Sequence, residues 1–260
     1  AFKIGTILNK KGLIQSLNRL TSLGSMSQLR RINTTGDMIM IGQRKLHPTQ
    51  FGIICPVETP DGGNIGIKKH LTIMGNITFG CDPKPIFNLL LQFGVRELNS
   101  IKPNFINDNS KIFVNGKWVG IHEDPKKLVE ILRIYRRNGF INIFTSINFD
   151  MHHNEINILT DNGRCCIPLY ILENNKTLLT KDILDKLRTK EINWFNIIGG
   201  FLKQKFDYYN CNVKSENYTI DDYSTIIDKL KGSTAIAEYL DVDEMTNIML
   251  CFNLNKLDPT

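Results

Sequence analysis

Several features that would place a chain in a specialised class are missing from this sequence. It contains no run of about 18 apolar residues, so it predicts no membrane-spanning helix. Its first residues show no basic segment followed by an apolar block, so we expect no signal peptide. No Cys-x-x-Cys pair occurs among the six cysteines. These absences favour a globular protein with free thiols in a reducing compartment.

The spacing of candidate ligands disfavours two common kinds of binding site. A P-loop needs four residues between its glycines and a lysine directly after the second, whereas Gly62 and Gly66 are separated by three and Lys68 is displaced. His152 and His153 are adjacent, so they would point to opposite sides of a strand and could not easily share a zinc ion. We therefore expect neither a Walker-type nucleotide site nor a metal site in this chain.

Acidic residues are scarce in the first third of the chain. Residues 1–80 contain ten lysines and arginines but only three acids, a net charge of +7, while the other 180 residues carry −1. A basic surface kept only for solubility would be spread more evenly. The localised excess favours a polyanion as the partner of the N-terminal third.

The stretch from residue 29 to 70 combines these cations with residues that restrict the backbone. Prolines fix φ there, and glycines reach conformations that strain other residues. Residues 33–42 join a turn signal to the apolar run Met-Ile-Met-Ile, and this predicts a small hairpin-like loop. Two interpretations of its apolar arm remain open: packing on the protein body, or insertion between two strands of a partner. The candidate binding residues of the stretch are Arg30, Arg31, Arg44, Lys45, His47, Glu58 and Asp61.

Local patterns predict alternating strands and helices over the rest of the chain. Residues 51–54 read as a short apolar strand, and Asn115-Gly116 fits a type I′ turn between two strands. Asp124-Pro125 predicts the start of a helix, whose buried face would carry Leu128, Ile131, Leu132 and Tyr135. Residues 234–240 read as a further helical stretch.

Three arginines gather at the C-terminal end of the helix that follows Asp124. Arg133, Arg136 and Arg137 are placed where cations complement the helix dipole, and this is the interpretation we favour. Contact with nucleic acid is the alternative.

Several motifs resemble the second-largest (bacterial β-like) subunit of multisubunit DNA-directed RNA polymerase. They are LRRINT, then RKLHPTQFGIICPVETPDGGNIGIKKHLTIM, FVNGKWVG, LTDNGR and a closing LDP, in the family's order and across the whole chain. The resemblance is to the eukaryotic, archaeal and large-DNA-virus form. It implies an α+β fold with a helical and loop-rich fork at 1–80, followed by two small α/β external domains at 81–160 and 161–260.

The resemblance also implies roles for particular residues. Arg30 and Arg31 match the arginine pair at the base of the fork loop, which begins at Asn33 and lies where downstream duplex opens. Arg44, Lys45 and His47 match positions that face nucleic acid and the active-centre cavity. Glu58 and Asp61 match the acids near the incoming nucleotide, although the family usually has glutamate at position 61.

The function implied by the resemblance is DNA-templated RNA synthesis, with this chain as a segment of one subunit of the nucleotidyltransferase. Mg²⁺ would be held by aspartates of the largest subunit and not by this chain. The implied partners are the largest and smaller polymerase subunits, the DNA template, the RNA product and nucleoside triphosphates, with no membrane. The implied location is intracellular: the nucleus, or a cytoplasmic virus factory or virion. The alternative is a non-catalytic nucleic-acid-binding scaffold that retains the fold.

Overall fold

The computed structural model describes residues 15–33, 41–102, 105–106, 109–173, 175–200, 230 and 234–251. It separates into two compact units, Ala1–Asn76 and Ile77–Thr260. Most of the predicted hairpin-like loop, residues 34–40, lies outside the described residues. The division into three modules that the resemblance implies stays a prediction.

The first unit is built from short elements joined by turns. Helix α1 (Ser22–Leu29) begins at Thr21, whose hydroxyl accepts a hydrogen bond from the backbone N–H of Gly24. Strand β1 (Arg31–Asn33) follows at once, then helix α2 (Ile41–Arg44) and strand β2 (Lys68–His70). Strands β1 and β2 pair antiparallel, with Arg31 opposite His70.

The prediction of a strand at residues 51–54 is wrong. These residues form a turn in which the N–H groups of Ile53 and Ile54 both donate to the carbonyl of Gln50. Only Ile54 makes a bridge, to Leu71. The apolar pattern reflects burial of Ile53, which is 3% exposed, and a single buried side chain does not need a strand to reach the interior.

A five-stranded sheet forms the centre of the second unit. Its strands are β4 (Arg96–Glu97), β5 (Ser110–Val114), β6 (Lys117–His122), β7 (Ser146–Asp150) and β8 (Glu155–Leu159), in the order β4-β6-β5-β8-β7. The predicted hairpin is confirmed, since Asn115 and Gly116 both have positive φ, 50° and 76°, as a type I′ turn requires. Strands β5 and β8 are parallel, and the other neighbours are antiparallel.

Two helices complete the core around this sheet. Helix α3 (Lys84–Gln92) buries Ile86, Leu89 and Leu90. Helix α4 (Pro125–Arg137) begins after Asp124, whose carboxylate accepts from the N–H of Lys127. The predicted buried face is confirmed, because all four of its members are buried: Leu128, Ile131, Leu132 and Tyr135.

A second, smaller sheet has the order β12-β9-β3, from β3 (Asn76–Ile77), β9 (Cys165–Tyr170) and β12 (Ala237–Asp241). The prediction of a helical stretch at residues 234–240 is wrong, because β12 pairs antiparallel with β9 over five residues. The remaining elements are a two-stranded ribbon, β10 (Leu172–Glu173) with β11 (Lys176–Thr177), and helices α5 (Lys181–Arg188), α6 (Trp194–Gly199) and α7 (Val242–Thr246).

Helices and mixed sheets together confirm the α+β fold class. Among the residues that the structure describes, no helix has both the length and the apolar character needed to cross a bilayer.

Candidate nucleic-acid interface

The pairing of β1 with β2 brings together cations from the two ends of the 29–70 stretch. Ile32 lies opposite Lys69 and Asn33 lies opposite Lys68. Because side chains alternate along a strand, Arg31, Lys68 and His70 share one face of this ribbon, and Lys69 projects from the other. We name Arg31, Lys68 and Lys69 the basic ribbon.

The two lysines of the basic ribbon and His70 were not among the site residues predicted from the sequence. Lys68 and Lys69 contributed to the cationic excess, and they directly follow the glycine-rich turn that ends at Gly66. Their position next to this turn was the sequence signal that could have indicated them as site residues. Only the register of the β1–β2 pair places Lys68 and His70 on the same face as Arg31, and Lys69 on the opposite face.

The side chain of Arg30 is half-buried and contacts the backbone of a neighbouring turn in the first unit. One terminal nitrogen of its guanidinium, Nη2, donates to the carbonyls of Thr72 and Gly75, at 2.5 Å and 2.8 Å. These bonds hold the turn that follows β2 against the end of α1. Binding of nucleic acid by Arg30 stays a prediction.

Arg31 is exposed and makes a side-chain contact across the ribbon. Its Nε lies 3.3 Å from Nε2 of His70, and Nδ1 of His70 lies 3.3 Å from Oε1 of Glu58. His70 is 7% exposed, whereas the Glu58 side chain is 55% exposed. The structure therefore links two of the predicted site residues, one cation and one carboxylate, through a buried histidine.

The Glu-Thr-Pro turn is tied to both β2 and α2. The hydroxyl of Thr59 donates to the carbonyl of Lys68 at 3.0 Å and accepts from the N–H of Gly66 at 2.8 Å. The Nη1 of Arg44 donates to the carbonyl of Ile65 at 2.9 Å. Gly66 has a φ of +72°, and a Cβ there would lie 2.7 Å from Arg44 Cα, so only glycine fits.

The other predicted site residues take no part in these contacts. Asp61 is exposed and its side chain does not cap the short 3-10 helix Gly62–Asn64 that it precedes. Lys45 is exposed. His47 caps the 3-10 helix Pro48–Gln50, with its Nδ1 accepting from the N–H of Thr49 at 3.3 Å.

Metal binding finds no support in the parts of the chain that the structure describes. They contain no group of three or more His, Cys, Asp or Glu side chains that could hold a metal ion. The carboxylate of Glu58 contacts His70, and within the described residues Asp61 belongs to no such group. These residues do not fit a catalytic Mg²⁺ site.

The arginines at the end of α4 have a role that the helix-dipole interpretation did not foresee. The Arg136 side chain is 1% exposed and forms a bidentate pair with Glu244, at 2.7 Å and 2.8 Å. It also donates to Glu238 at 2.9 Å and to the carbonyl of Thr145 at 2.8 Å. Arg137 donates to both carboxylate oxygens of Glu238.

This buried ion network goes beyond the favoured interpretation. Arg136 and Arg137 lie in the last turn of α4, as that interpretation requires, and they also neutralise specific carboxylates. Burial by itself would raise the pKa of Glu238, but the charges of Arg136 and Arg137 outweigh it and lower that pKa to about 2. Burial by itself would lower the pKa of Arg136. The charges of Glu244 and Glu238 outweigh that effect and raise this pKa above its ordinary value. The acidic partners lie about a hundred residues downstream, beyond the reach of local pattern reading.

Comparison with known proteins places both units in one family. Residues 15–77 match the family model described as RNA polymerase Rpb2, domain 3, and residues 112–173 match RNA polymerase Rpb2, domain 4. The chain is similar to DNA-directed RNA polymerase II subunit RPB2 of Encephalitozoon cuniculi, with 37% identity over 75% of the chain and 17% of the relative. It is 33% identical to the RPB2 subunit of Eremothecium gossypii over 97% of the chain and 20% of that protein.

A third relative belongs to a different polymerase class. DNA-directed RNA polymerase III subunit RPC2 of Drosophila melanogaster is 27% identical over 95% of the chain and 21% of its own length. The chain thus spans about a fifth of the length of the curated relatives it matches. From the two domain matches and these identities, the chain belongs to the family of second-largest subunits of multisubunit DNA-directed RNA polymerase and is a segment of such a subunit.

Proposed function

We propose that this chain is part of an assembled DNA-directed RNA polymerase, a nucleotidyltransferase, in which its first unit lines the active-centre cleft and the downstream DNA path. The observation that carries the proposal is the basic ribbon, in which strand pairing places Arg31 and Lys68 on one face and Lys69 on the other. Membership of the subunit family and the net charge of +7 in residues 1–80 support it. The second unit, whose net charge is close to zero, serves as a supporting body.

The chemistry of the basic ribbon suits contact with the phosphate backbone. Lysine and arginine neutralise phosphates irrespective of base sequence, which is what a polymerase needs as the template moves. Arg30 and Arg44 brace the surface from within, since their guanidinium groups hold backbone carbonyls of the neighbouring turns. A rigid frame keeps the cations at fixed spacing along the nucleic acid.

Phosphoryl transfer depends on Mg²⁺, which stabilises the charge that develops on the reacting oxygens. As the family resemblance implies, we assign that ion to aspartates of the largest subunit. Glu58 and Asp61 support the incoming nucleotide from outside the metal site. The proposed partners are accordingly the largest and smaller subunits, template DNA, product RNA and nucleoside triphosphates.

We further propose that the first unit is the fork and the second unit the two external domains, with a boundary near residue 160. Such a polymerase works inside the cell, in the nucleus, or in a cytoplasmic virus factory if the chain is viral.

The proposed function is tested with Arg31→Ala in the assembled polymerase that contains this chain. Affinity for a DNA duplex with an unpaired bubble is measured over a KCl series. Each phosphate contact contributes about 0.9 to the slope of log affinity against log salt, so the variant should show a slope shallower by roughly that amount. The control is Arg188→Ala, an exposed arginine of the second unit. Equal slopes for Arg31→Ala and the unmodified enzyme would contradict the proposal.

A further inference from the structure

His70 is the one side chain that touches both a predicted nucleic-acid contact and a carboxylate of the Glu-Thr-Pro turn in the described part of the first unit. Its ring is buried, and its backbone is held on two sides. The carbonyl of His70 accepts from the N–H of Cys55 at 2.8 Å, and the N–H of the next residue, Leu71, donates to the carbonyl of Arg30 at 3.1 Å. The ring therefore sits on a rigid support.

The two contacts of the ring require one tautomer. The Nε–H of Arg31 is a donor, so the Nε2 of His70 must offer a lone pair. The ring proton then lies on Nδ1, which faces the carboxylate of Glu58, an acceptor. A neutral histidine in this tautomer satisfies both neighbours at once.

The contact between Arg31 and His70 leaves the far end of the guanidinium open. Within the residues that the structure describes, neither terminal nitrogen of Arg31 has a partner, and the side chain is exposed. The pair Nη1 and Nη2 is one of the two edges through which arginine binds a phosphate with two parallel hydrogen bonds. Holding the Nε edge against His70 thus presents the other edge outward.

We infer that His70 is a positioning residue, which orients the guanidinium of Arg31 for phosphate and couples that orientation to Glu58; this inference rests on the proposed function. Arg31 differs in this from Arg30 and Arg44, whose terminal nitrogens hold backbone carbonyls. Ordering a long side chain in advance removes part of the entropy cost of binding. From the usual cost for one such side chain, loss of the brace should weaken binding about threefold to tenfold.

The test uses His70→Leu, which fills the buried space but forms neither contact, in the assembled polymerase with the same bubble duplex. The affinity is measured with Arg31 present and in the Arg31→Ala background, as a double-mutant cycle. We expect His70→Leu to weaken binding about threefold to tenfold when Arg31 is present and not at all when Arg31 is absent. A purely structural role would weaken both backgrounds alike, and that outcome, or no weakening in either, would overturn the inference.

A second pair of variants separates the two contacts and still decides the question if the leucine variant fails to assemble. The amide of His70→Gln reaches as far as Nε2 and can accept from Arg31, whereas that of His70→Asn reaches only as far as Nδ1 and can serve only Glu58. Affinity should be retained in the glutamine variant and lost in the asparagine variant, and equal affinities would overturn the inference. If Arg31→Ala alone leaves affinity and salt slope unchanged, the proposed function fails as well; if only the His70 variants are without effect, it stands.

Discussion

Replacing Arg136 by methionine probes the buried ion network that joins α4 to β12 and α7. Methionine retains much of the length of the arginine side chain but none of its charge. The change removes four hydrogen bonds: two to Glu244, one to Glu238 and one to the carbonyl of Thr145. The partner at position 244 is fully buried, so water cannot replace what it loses.

The loss of stability expected for Arg136→Met depends on which charges remain buried without a close partner. Glu238 keeps Arg137 as a partner. Among the described residues, the one cation left to Glu244 is Arg133, whose Nε is 3.6 Å away. Breaking a buried pair and leaving one charge behind costs about 3–5 kcal/mol. Replacing both members of a buried ion pair by apolar groups often leaves stability unchanged. Arg136→Met combined with Glu244→Leu should therefore recover most of the lost free energy of unfolding. The coupling energy between the two sites should then exceed about 2 kcal/mol.

Tryptophan fluorescence during urea unfolding measures this effect in the right part of the chain. Both tryptophans, Trp118 and Trp194, belong to the second unit, so their emission reports its unfolding alone. The control is Arg188→Met, whose ion pair with Asp185 is largely exposed and should contribute less than about 1 kcal/mol. The reasoning is refuted if Arg136→Met costs no more than the control, or if the double variant is less stable than either single one.

Three further predictions concern acid stability, a turn and thiol reactivity. The folded-state pKa of Glu238 is about 2, below its ordinary value of 4.5. Ionised Glu238 therefore contributes about 3 kcal/mol to the free energy of unfolding above pH 4.5, and this contribution is lost as pH falls toward 2. Glu238→Gln should flatten this part of the curve of unfolding free energy against pH, and an unchanged slope would contradict the assignment. Gly66→Ala should lower the opening free energy of β2 amides in hydrogen exchange by about 1–3 kcal/mol, while Gly63→Ala, with open space around it, should not; equal effects would refute the close-approach argument. Burial raises the pKa of the Cys166 thiol to about 12, so iodoacetamide at pH 8 should modify exposed Cys251 first, and equal rates would show that Cys166 is accessible.

Local chemistry was enough to predict several elements of the second unit. Asn115-Gly116 predicted the hairpin because both residues tolerate the positive φ of a type I′ turn. Asp124-Pro125 predicted the start of α4, and the helical spacing of Leu128 and its partners predicted the buried face. In each case the cause and the structure lie within a few residues of one another.

Prediction failed where a distant segment decides the local structure. Within the predicted helical stretch 234–240, residues 237–240 belong to strand β12 because β9 offers a pairing edge, and the local pattern of those residues carries no information about that edge. Arg136 is buried against the carboxylates of Glu238 and Glu244, which lie about a hundred residues away, so the local pattern around it could not predict these partners.

The sequence by itself determined that the first third is cationic, that glycines and prolines shape its turns, and that its motifs are those of the polymerase subunit family. These are properties of composition and short spacing, which the chain carries whether it is folded or not. The tertiary structure alone decided that Lys68 shares a face of the ribbon with Arg31, that Lys69 lies on the other face, and that His70 bridges Arg31 and Glu58. The physical reason is that strand register is set by the packing of the whole unit, and a shift of one residue would send each of these side chains to the opposite face.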